Sequence, residues 1–309
     1  MEISNNPNKV LRIIFTPLVW CTKFVGRHFP ETLVKIRYFA RFKRRLNLNN
    51  PRTLNEKILY MSLRTDTTSW TRLADKYNVR SYVEECGLSD TLVKLLGYWE
   101  SAEQIDFDKL PNSFVLKTTQ GSGDIILVKD KKNIDKDEIV KKMDIAVKTK
   151  YGELEGGKHY MRIKPAIIAE ELLYNDEESR KHSTSIIDYK IWCFNGKAHY
   201  VWACCNRDKN GTDVMTYDLQ WNAHPEYSVF DKEYRRGQII PQPLNFAKMI
   251  DCAEKLAQPF PVVRVDLYNL NGKVFFGEMT FTSLGGLMNF YSEDFQLMTG
   301  NLIDINYKG

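Results

Sequence analysis

Charged residues interrupt a short apolar stretch near the C-terminal end of the sequence. Residues 262–281 alternate apolar and polar residues around an Asn-Gly pair at 271–272, which predicts a β-hairpin with a type I′ turn. Arg264 and Asp266 lie on its first strand and Glu278 on its second. Carboxylates that converge on paired strands repel each other unless a cation lies between them, and an oxygen-only cluster favours Mg²⁺ or Mn²⁺. The hairpin predicts a divalent-metal site, with simple ion pairs on an exposed sheet face as the alternative.

A glycine-containing loop joins two short predicted strands, residues 114–117 and 125–129. Lys117 ends the first strand, and the Gly-Ser-Gly of residues 121–123 follows in the loop. Backbone N–H groups of such a loop can close over phosphates, while the lysine supplies a positive charge. The pattern differs from the P-loop, because the lysine precedes the glycines and no helix begins after them. A plain hairpin turn is the alternative interpretation.

The remaining pattern predicts an α+β protein, with strands arranged as hairpins and helices between them. A second Asn-Gly pair, at 195–196, joins two predicted strands in the same way as the first. Two helices begin at capping residues, Thr53 with Glu56 at the capping-box position, and Asn245. The predicted helices span 32–46, a segment from 53, 70–87, 135–150 and 245–258, and the predicted strands span 114–117, 125–129, 166–173, 188–194, 198–205, 214–219 and the two halves of the 262–281 hairpin.

Length and composition indicate an ordinary globular protein. At 309 residues and 43% hydrophobic content, the chain suits one large domain or two closely joined ones. Its six cysteines form no CxxC pair and have no His at metal-ligand spacing, so they predict reduced thiols in a cytosolic protein. The apolar run 10–25 is interrupted by Arg12, Pro17 and Lys23 and lacks a small-residue cleavage site. We therefore expect neither a transmembrane segment nor an export signal there.

The positive charge is concentrated at the N-terminal end. Residues 1–64 contain 13 Lys and Arg against 3 Asp and Glu, although the whole chain has a net charge of only +5. Within this segment, residues 32–46 predict a basic amphipathic helix whose apolar positions include Leu33, Ile36 and Phe39. Such a helix can lie on an anionic membrane surface or pack against its own domain, and the pattern leaves both open. No nucleic acid is expected as a partner, because no recognition motif accompanies the charge.

Six motifs follow one another along the chain: LNLNNPRTLNEK at 46–57, ADKYNVRSYV at 74–83, FVLKTTQGSG at 114–123, IIAEELL at 167–173, DYKIWCFNGK at 188–197 and VRVDLYNLNGKVFFGEMTF at 263–281. Taken in this order, they resemble the ATP-grasp superfamily and, within it, the TupA-like branch associated with teichuronopeptide and other surface polysaccharides. Together they run from about residue 46 almost to the C-terminus.

The resemblance implies an ATP-grasp fold, in which two α+β lobes clamp a nucleotide. We expect a basic helical segment at 1–64, an N-terminal lobe with its preceding helices and glycine lid at 65–165, and a hinge strand with the C-terminal lobe and metal site at 166–309. The resemblance also implies ATP and Mg²⁺ (or Mn²⁺) as cofactors.

Both expected lobes would contribute nucleotide-binding residues. The resemblance implies phosphate contacts from Lys76, Lys117 and Lys190, and the last two would also be catalytic cations. Gly121, Ser122 and Gly123 would form a mobile lid over the phosphates. Glu170 and the backbone around Glu171 and Leu172 would contact the adenine, and Asp188 would contact the ribose. Phosphoryl transfer depends on positioned cations more than on a covalent helper, and these lysines suit that requirement.

The resemblance places the metal and the transferred group at the hairpin. Asp266 and Glu278 would hold Mg²⁺ between the β- and γ-phosphates, and Arg264 would stabilise the charge on the transferred group. Thr280 stands where most ATP-grasp enzymes have Asn, and it is a weaker Mg²⁺ ligand that could act through water.

Three further positions depart from the family pattern or extend it. Gln120 stands where relatives often carry a His before the glycines, so no histidine role is expected in this loop. His159 and Arg207 are candidates for substrate or phosphate contacts. For each of the two, the alternative is a structural side chain, either in the core or on the surface.

The activity implied by the resemblance is that of an ATP-dependent carboxylate–amine ligase. Its substrates would be an amino acid or other amine and a uronic-acid or amino-acid carboxylate of a surface or capsular polysaccharide, or of its lipid-linked precursor. The basic N-terminal segment fits a cytoplasmic enzyme at the inner membrane face. A glycosyltransferase or sugar kinase is one alternative, although no DxD-type motif supports a transferase. A non-catalytic nucleotide- or polymer-binding scaffold is another, although a scaffold need not keep a costly charge cluster.

Overall fold

The computed structural model describes residues 17–121 and 123–309. It shows an α+β protein, as the sequence predicts, whose strands form a four-stranded and a six-stranded sheet. The described helices are α1 (Pro17–His28), α2 (Pro30–Phe42), α3 (Leu54–Arg64), α4 (Thr68–Ala74), α5 (Val79–Glu85), α6 (Lys136–Lys148), α7 (Lys158–Met161), α8 (Glu177–His182), α9 (Phe246–Ala257) and α10 (Glu293–Leu302). The described strands are β1 (Leu95–Trp99), β2 (Phe114–Thr118), β3 (Ile125–Val128), β4 (Ile167–Glu170), β5 (Asp188–Phe194), β6 (Lys197–Asp208), β7 (Gly211–Asp218), β8 (Tyr234–Arg236), β9 (Val262–Leu270) and β10 (Lys273–Thr280).

The four-stranded sheet has the order β1-β4-β2-β3, and all its neighbouring strands are antiparallel. Its core combines strand residues such as Leu116 and Ile167 with Ile139 and Met143 of α6. Along β2, Phe114 and Leu116 are fully buried. Because successive side chains in a strand point to opposite faces, Lys117 lies on the face away from that core.

The six-stranded sheet has the order β10-β9-β5-β6-β7-β8, antiparallel except for the parallel β7–β8 pair. All seven residues of the central strand β5 are buried. Cys193 Sγ lies 3.8 Å from Ala253 O of α9, so this helix covers one face of the strand. The alternate residues, Lys190 and Trp192, therefore point to the other face.

Both Asn-Gly pairs form tight turns, as the sequence predicts. The turn between β5 and β6 has φ of 47° and 74° at its two central residues, and the turn between β9 and β10 has 51° and 79°. Two successive positive φ values define the type I′ turn, whose twist matches that of the paired strands. The two predicted hairpins are confirmed.

The N-terminal helices pack on the rest of the protein through a separate apolar cluster. Val34 and Tyr38 of α2 contact the cluster that contains Leu59 and Leu63 of α3. The predicted capping box of α3 is confirmed, since the Thr53 hydroxyl accepts from Glu56 N at 3.2 Å and the Glu56 carboxylate accepts from Thr53 N at 3.1 Å. Helix α2 ends at Phe42, four residues before the predicted end, because Lys43 adopts a left-handed conformation.

Two local predictions are wrong. The helix predicted over 70–87 is two helices, α4 and α5, separated by a turn in which the Asp75 carboxylate accepts from Tyr77 N at 2.8 Å and from Asn78 N at 2.9 Å. A short acidic side chain that bonds the backbone in this way competes with a continuous helix. The predicted cap at Asn245 is also absent, because its side chain donates to Gly272 O at 2.9 Å instead.

All six cysteines are free thiols, and four of them are buried. Burial raises the pKa of the Cys204 thiol to about 11, which keeps it protonated at neutral pH. Within residues 17–121 and 123–309, every helix is too short or too polar to cross a membrane.

Candidate functional site

A β-bulge sets the register of the C-terminal hairpin. Phe276 pairs with Leu267, but the next pair is Glu278 with Asp266, so Gly277 is an extra residue in β10. Without the bulge, Glu278 would point to the opposite face from Asp266, because side chains alternate along a strand. A Cβ at Gly277 would lie only 2.9 Å from the Asp266 carbonyl oxygen, which explains the glycine. The bulge thus brings the two predicted carboxylates side by side.

Arg264 occupies the same face of β9 as Asp266, two residues away. Its Nε lies 2.7 Å from Asp266 Oδ1 and its Nη2 lies 2.7 Å from Oδ2, a bidentate pair. The guanidinium also donates to Ser283 Oγ at 2.6 Å and to Thr280 Oγ1 at 3.1 Å. Thr280 in turn donates to Glu278 Oε1 at 2.8 Å. Arg264 therefore links Asp266, Thr280 and Ser283, and its Nη2 also lies 3.5 Å from Glu278 Oε1.

The neighbouring strand β5 adds Lys190 and Asp188 to this face. Lys190 pairs with Asp266 in the strand register, and its Nζ contacts the Asp266 carboxylate and lies 2.6 Å from Asp188 Oδ2. Arg207 of β6 reaches the same Asp188 oxygen at 3.2 Å. We call Asp188, Lys190, Arg264 and Asp266 the charged row, since they alternate in sign across two adjacent strands and all are buried.

The carboxylates of the charged row favour the charged form of Lys190, whereas burial raises the pKa of Asp266 although Arg264 and Lys190 oppose this effect. Burial by itself lowers the pKa of Lys190, but the Asp188 and Asp266 carboxylates outweigh it and raise the pKa above its ordinary value. Glu278 is also affected: burial raises its pKa, yet the charges of Lys76, Lys190 and Arg264 bring it down to about 2. Glu278 is therefore a carboxylate at any pH near neutrality.

On the four-stranded sheet, Glu170 is the meeting point of two cations. Lys117 Nζ lies 2.5 Å from Glu170 Oε2, and Arg80 Nη1 of α5 lies 3.3 Å from Oε1. Arg80 also donates to Val93 O at 2.8 Å. The contact between Arg80 and Glu170 was not predicted, and the only sequence signal for it is a basic residue one turn after Lys76.

Lys76 lies between the glycine loop and the hairpin. Its backbone N donates to Thr119 O at 3.0 Å, and its Nζ donates to the Gly121 carbonyl. Burial lowers the pKa of Lys76, although the nearby Glu278 charge opposes this effect. The turn that interrupts the predicted helix therefore places Lys76 beside the loop and within electrostatic range of Glu278.

The glycine loop is described except at one position. Gly121 is buried at the start of the loop, whereas Gly123 is exposed, with φ of 86° and open space around its Cα. Ser122, the third residue predicted for the lid, lies outside the described residues. A left-handed glycine in open space leaves the loop free of side-chain packing at that point.

The two residues that follow β4 are only partly available for ligand contacts. The backbone N–H of Glu171 donates to Lys94 O at 3.0 Å, and its side chain is exposed. Leu172 is half-buried. The backbone N–H of Glu171 is thus already used within the protein.

His159 lies in the core and not at the charged row. It is fully buried between Trp70 and Tyr160, with ring centroids 5.5 Å and 4.2 Å away, and its Nε2 lies 3.4 Å from Thr282 Oγ1. Burial lowers its pKa to about 3, so the ring is neutral. Of the two alternatives for His159, the structure favours a structural side chain. Arg207, in contrast, is half-exposed beside Asp188.

The donor set suits a hard divalent cation in type. Asp266 and Glu278 offer carboxylate oxygens on adjacent strands, and the Glu278 side chain remains 40% exposed. Both Asp266 oxygens already accept from Arg264, so a metal would share this carboxylate with a cation. No group of three or more His, Cys, Asp or Glu side chains suited to a metal occurs within the described ranges. A bound cation would therefore need ligands from a nucleotide or water in addition.

Comparisons with known proteins identify similar sequences and structures. A family model described as TupA-like ATPgrasp matches residues 56–304. Among solved structures, D-alanine–D-alanine ligase from Bacillus anthracis is 14% identical, with a TM-score of 0.43, and the match covers 77% of this chain and 66% of that chain. The corresponding ligase from Helicobacter pylori is 13% identical, with a TM-score of 0.41 and coverage of 81% and 69%. The ATP-grasp ligase PsnB, in complex with its minimal precursor, is 11% identical, with a TM-score of 0.42 and coverage of 76% and 61%.

Two further results concern the coverage of the matched structures and the search of curated proteins. The chain spans slightly less than two thirds of the length of the Bacillus anthracis ligase that it matches. A search of curated proteins found no match.

Proposed function

The chain belongs to the TupA-like ATP-grasp family, and from this premise we propose that it is an ATP-dependent ligase that joins a carboxylate to an amine. The observation that carries the proposal is the position of Lys76, which contacts the glycine loop and whose charge lowers the pKa of Glu278. We infer that the loop and the charged row border one nucleotide-binding cleft, because Lys76 acts on both. A cleft lined by positioned cations and carboxylates supports phosphoryl transfer.

The nucleotide would bind along this cleft. Lys76 and Lys117 would contact the phosphates, with the glycine loop as a lid over them. Glu170 would accept from the adenine amino group, and Asp188 would bind the ribose. In support of the last role, Asp188 Oδ1 is buried and has no hydrogen-bond partner in the part of the chain that the structure describes. A ribose hydroxyl would satisfy that oxygen, which is otherwise costly to bury.

Catalysis would proceed in two steps. The γ-phosphoryl group of ATP passes to a carboxylate oxygen of the substrate, which gives an acylphosphate and ADP. The amine nitrogen then attacks the acyl carbon, phosphate leaves, and the nitrogen loses a proton. Arg264 and Lys190 would stabilise the negative charge on the transferred group. When bound by Asp266 and Glu278, with Thr280 nearby, Mg²⁺ would neutralise charge on the β- and γ-phosphates.

The substrates are proposed by class. A uronic-acid or amino-acid carboxylate of a surface polysaccharide, or of its lipid-linked precursor, would be joined to an amino acid or another amine. This choice rests on the association of the TupA-like branch with such polymers. Arg207, half-exposed beside Asp188, and Ser283, hydrogen-bonded to Arg264, border the space where the acceptor would lie.

The test is ATP turnover with Mg²⁺ by the purified protein, assayed with mixtures of uronic acids, amino acids and amines. We expect release of ADP and phosphate that requires both a carboxylate and an amine. Asp266→Asn and Glu278→Gln should each lower the rate by roughly 100-fold or more. Asp251→Asn, which changes a half-exposed carboxylate on α9, is the matched control and should leave the rate unchanged.

Other outcomes would identify a different function. Formation of ADP without free phosphate would indicate a kinase. Binding of ATP without turnover in any mixture would favour a nucleotide-binding scaffold. Failure to bind ATP in the presence of Mg²⁺ would overturn the proposed nucleotide site altogether.

A further inference from the structure

The first two helices expose a set of large apolar side chains. Five of the thirteen large hydrophobic residues that are exposed in the described ranges fall within residues 20–39. We call them the outer patch: Trp20 (71% exposed), Phe24 (48%), Phe29 (58%), Ile36 (59%) and Phe39 (54%). Trp20 and Phe24 stack, with ring centroids 6.2 Å apart. A group of large apolar side chains exposed to water often marks a surface that binds another molecule or a membrane.

The outer patch is distinct from the surface by which these helices pack. Val34 and Tyr38 form the buried side of α2, and Ile36 and Phe39 lie on the opposite side because residues advance by about 100° along a helix. On α1, a Cβ at Gly26 would clash with the Glu153 carbonyl, so this side faces inward. Trp20 and Phe24, one turn apart, face away from it.

Both helices are held in place by the segment 152–157. Arg27 Nη2 lies 2.6 Å from Glu153 Oε1, and Arg37 donates to the Leu154 carbonyl. Glu155 of the same segment lies against Gly285, next to the Ser283 that binds Arg264. The outer patch is therefore a fixed part of the molecule, one short segment away from the candidate site.

The segment that contains the outer patch also carries an excess of positive charge. Residues 17–45 contain one acidic residue, Glu31, and eight basic ones. Four of the eight form contacts with other groups: Arg27, Lys35, Arg37 and Arg44. In the described part of the chain, the other four have no ion-pair partner: Lys23, Arg41, Lys43 and Arg45. The segment 17–45 thus combines the exposed apolar side chains of the outer patch with cations that have no ion-pair partner.

We propose that the outer patch binds the surface of an anionic phospholipid bilayer. Its apolar side chains would enter the headgroup region, and the free cations would contact lipid phosphates. A water-soluble polyanion would neutralise the cations but leave the apolar groups uncovered. A second copy of the chain would cover the apolar groups but oppose like charges. Only an anionic bilayer satisfies both features.

The test is co-sedimentation of the full chain with vesicles of phosphatidylcholine alone and with vesicles that also contain phosphatidylglycerol. We expect binding to the anionic vesicles only, weakened by added salt. The triple variant Arg41→Gln, Lys43→Gln, Arg45→Gln should lower the partition coefficient on the order of 100-fold, at roughly fivefold per charge. The double variant Ile36→Ser, Phe39→Ser should lower it by roughly tenfold or more.

Matched controls distinguish binding through the outer patch from nonspecific binding of other exposed apolar or basic side chains. Ile239→Ser with Leu244→Ser removes apolar side chains that are 69% and 67% exposed elsewhere on the surface. A second control removes three exposed lysines from the four-stranded-sheet region: Lys132→Gln, Lys141→Gln and Lys150→Gln. Both controls should bind anionic vesicles like the wild type. All substituted side chains are solvent-exposed or half-exposed, so thermal unfolding should confirm that every variant folds.

Several results would overturn the proposal. Among them are absence of binding to anionic vesicles, equal binding to both vesicle types, and variants that bind like the wild type. A dimer in sedimentation equilibrium that is lost in the Ile36→Ser, Phe39→Ser variant would assign the patch to a second copy instead. Because vesicle binding is measured without ATP, its failure would leave the proposed ligase activity untouched.

Discussion

In the six-stranded sheet, each charged side chain of the candidate site pairs with a residue on the same or the next strand. In the four-stranded sheet, Glu170 pairs with Lys117 on the neighbouring strand β2 but also with Arg80 on helix α5, and Lys76 contacts the glycine loop from a turn. Arg264 and Asp266, whose side chains are 7% and 3% exposed, are fixed by strand spacing. Lys117 and Arg80, at 18% and 16%, reach Glu170 from two separate elements. The first arrangement is therefore the more rigid and the more deeply buried of the two.

The largest effect should come from removing the arginine of the charged row. Arg264→Met would leave Asp266 with Lys190 as its remaining cation, and loss of one partner of a buried ion pair costs about 3–5 kcal/mol of unfolding free energy. Lys117→Met is the matched variant on the other sheet, and it should cost about 1 kcal/mol because Glu170 keeps Arg80. Urea denaturation measures both. Equal losses would remove the distinction between the two regions.

A smaller effect should follow from filling the bulge. Gly277→Ala places a methyl group 2.9 Å from the Asp266 carbonyl oxygen, and we expect a cost of about 1–3 kcal/mol as the hairpin shifts. Lys273→Ala, at the exposed start of the same strand, is the control and should change stability by less than about 0.5 kcal/mol. If Gly277→Ala were as stable as the control, the rigidity ascribed to this strand pair would be wrong.

The smallest effect should be a pH dependence at Glu278. The pKa of this carboxyl is lowered from 4.5 to about 2 in the folded protein, so its contribution to stability is present above pH 4.5 and is lost as the pH falls toward 2. The difference in unfolding free energy between the wild type and Glu278→Gln should therefore be constant near neutral pH and shrink between pH 4.5 and 2. Denaturation curves across this range test it, and a difference independent of pH would contradict the contact with the surrounding cations.

Local chemistry explains which parts of the fold the sequence predicts. Both Asn-Gly hairpins and the capping box of α3 depend on residues close in the chain, and all three are confirmed. The turn at 75–78 was missed because the apolar spacing continues through it, and only the Asp75 side chain marks the break. The sequence does contain a sign of the bulge. Val274, Phe276 and Met279 are the buried apolar positions of β10, and the step from 276 to 279 breaks the alternation.

The candidate site was predictable in its residue types and less so in its contacts. Asp266, Glu278 and Arg264 were predicted because charges in an apolar strand require an explanation, whereas Lys190 was predicted only from the family resemblance. The pairing of Lys190 with Asp266 was not predicted, because strand order decides it, and the placement of β5 beside β9 requires the complete sheet. The sequence also did not predict which faces of α1 and α2 are exposed, because helical spacing alone does not reveal which side of a helix is packed.

The bulge at Gly277 also bears on protein design. It lets one short strand present Val274 and Phe276 to the core and then Glu278 to the cleft. A designer who grafted only the charged residues onto a regular hairpin would bury one acid and expose the other. The transferable unit is therefore the extra residue together with the charges, and a one-residue deletion in this strand would separate the acid pair without altering either acid.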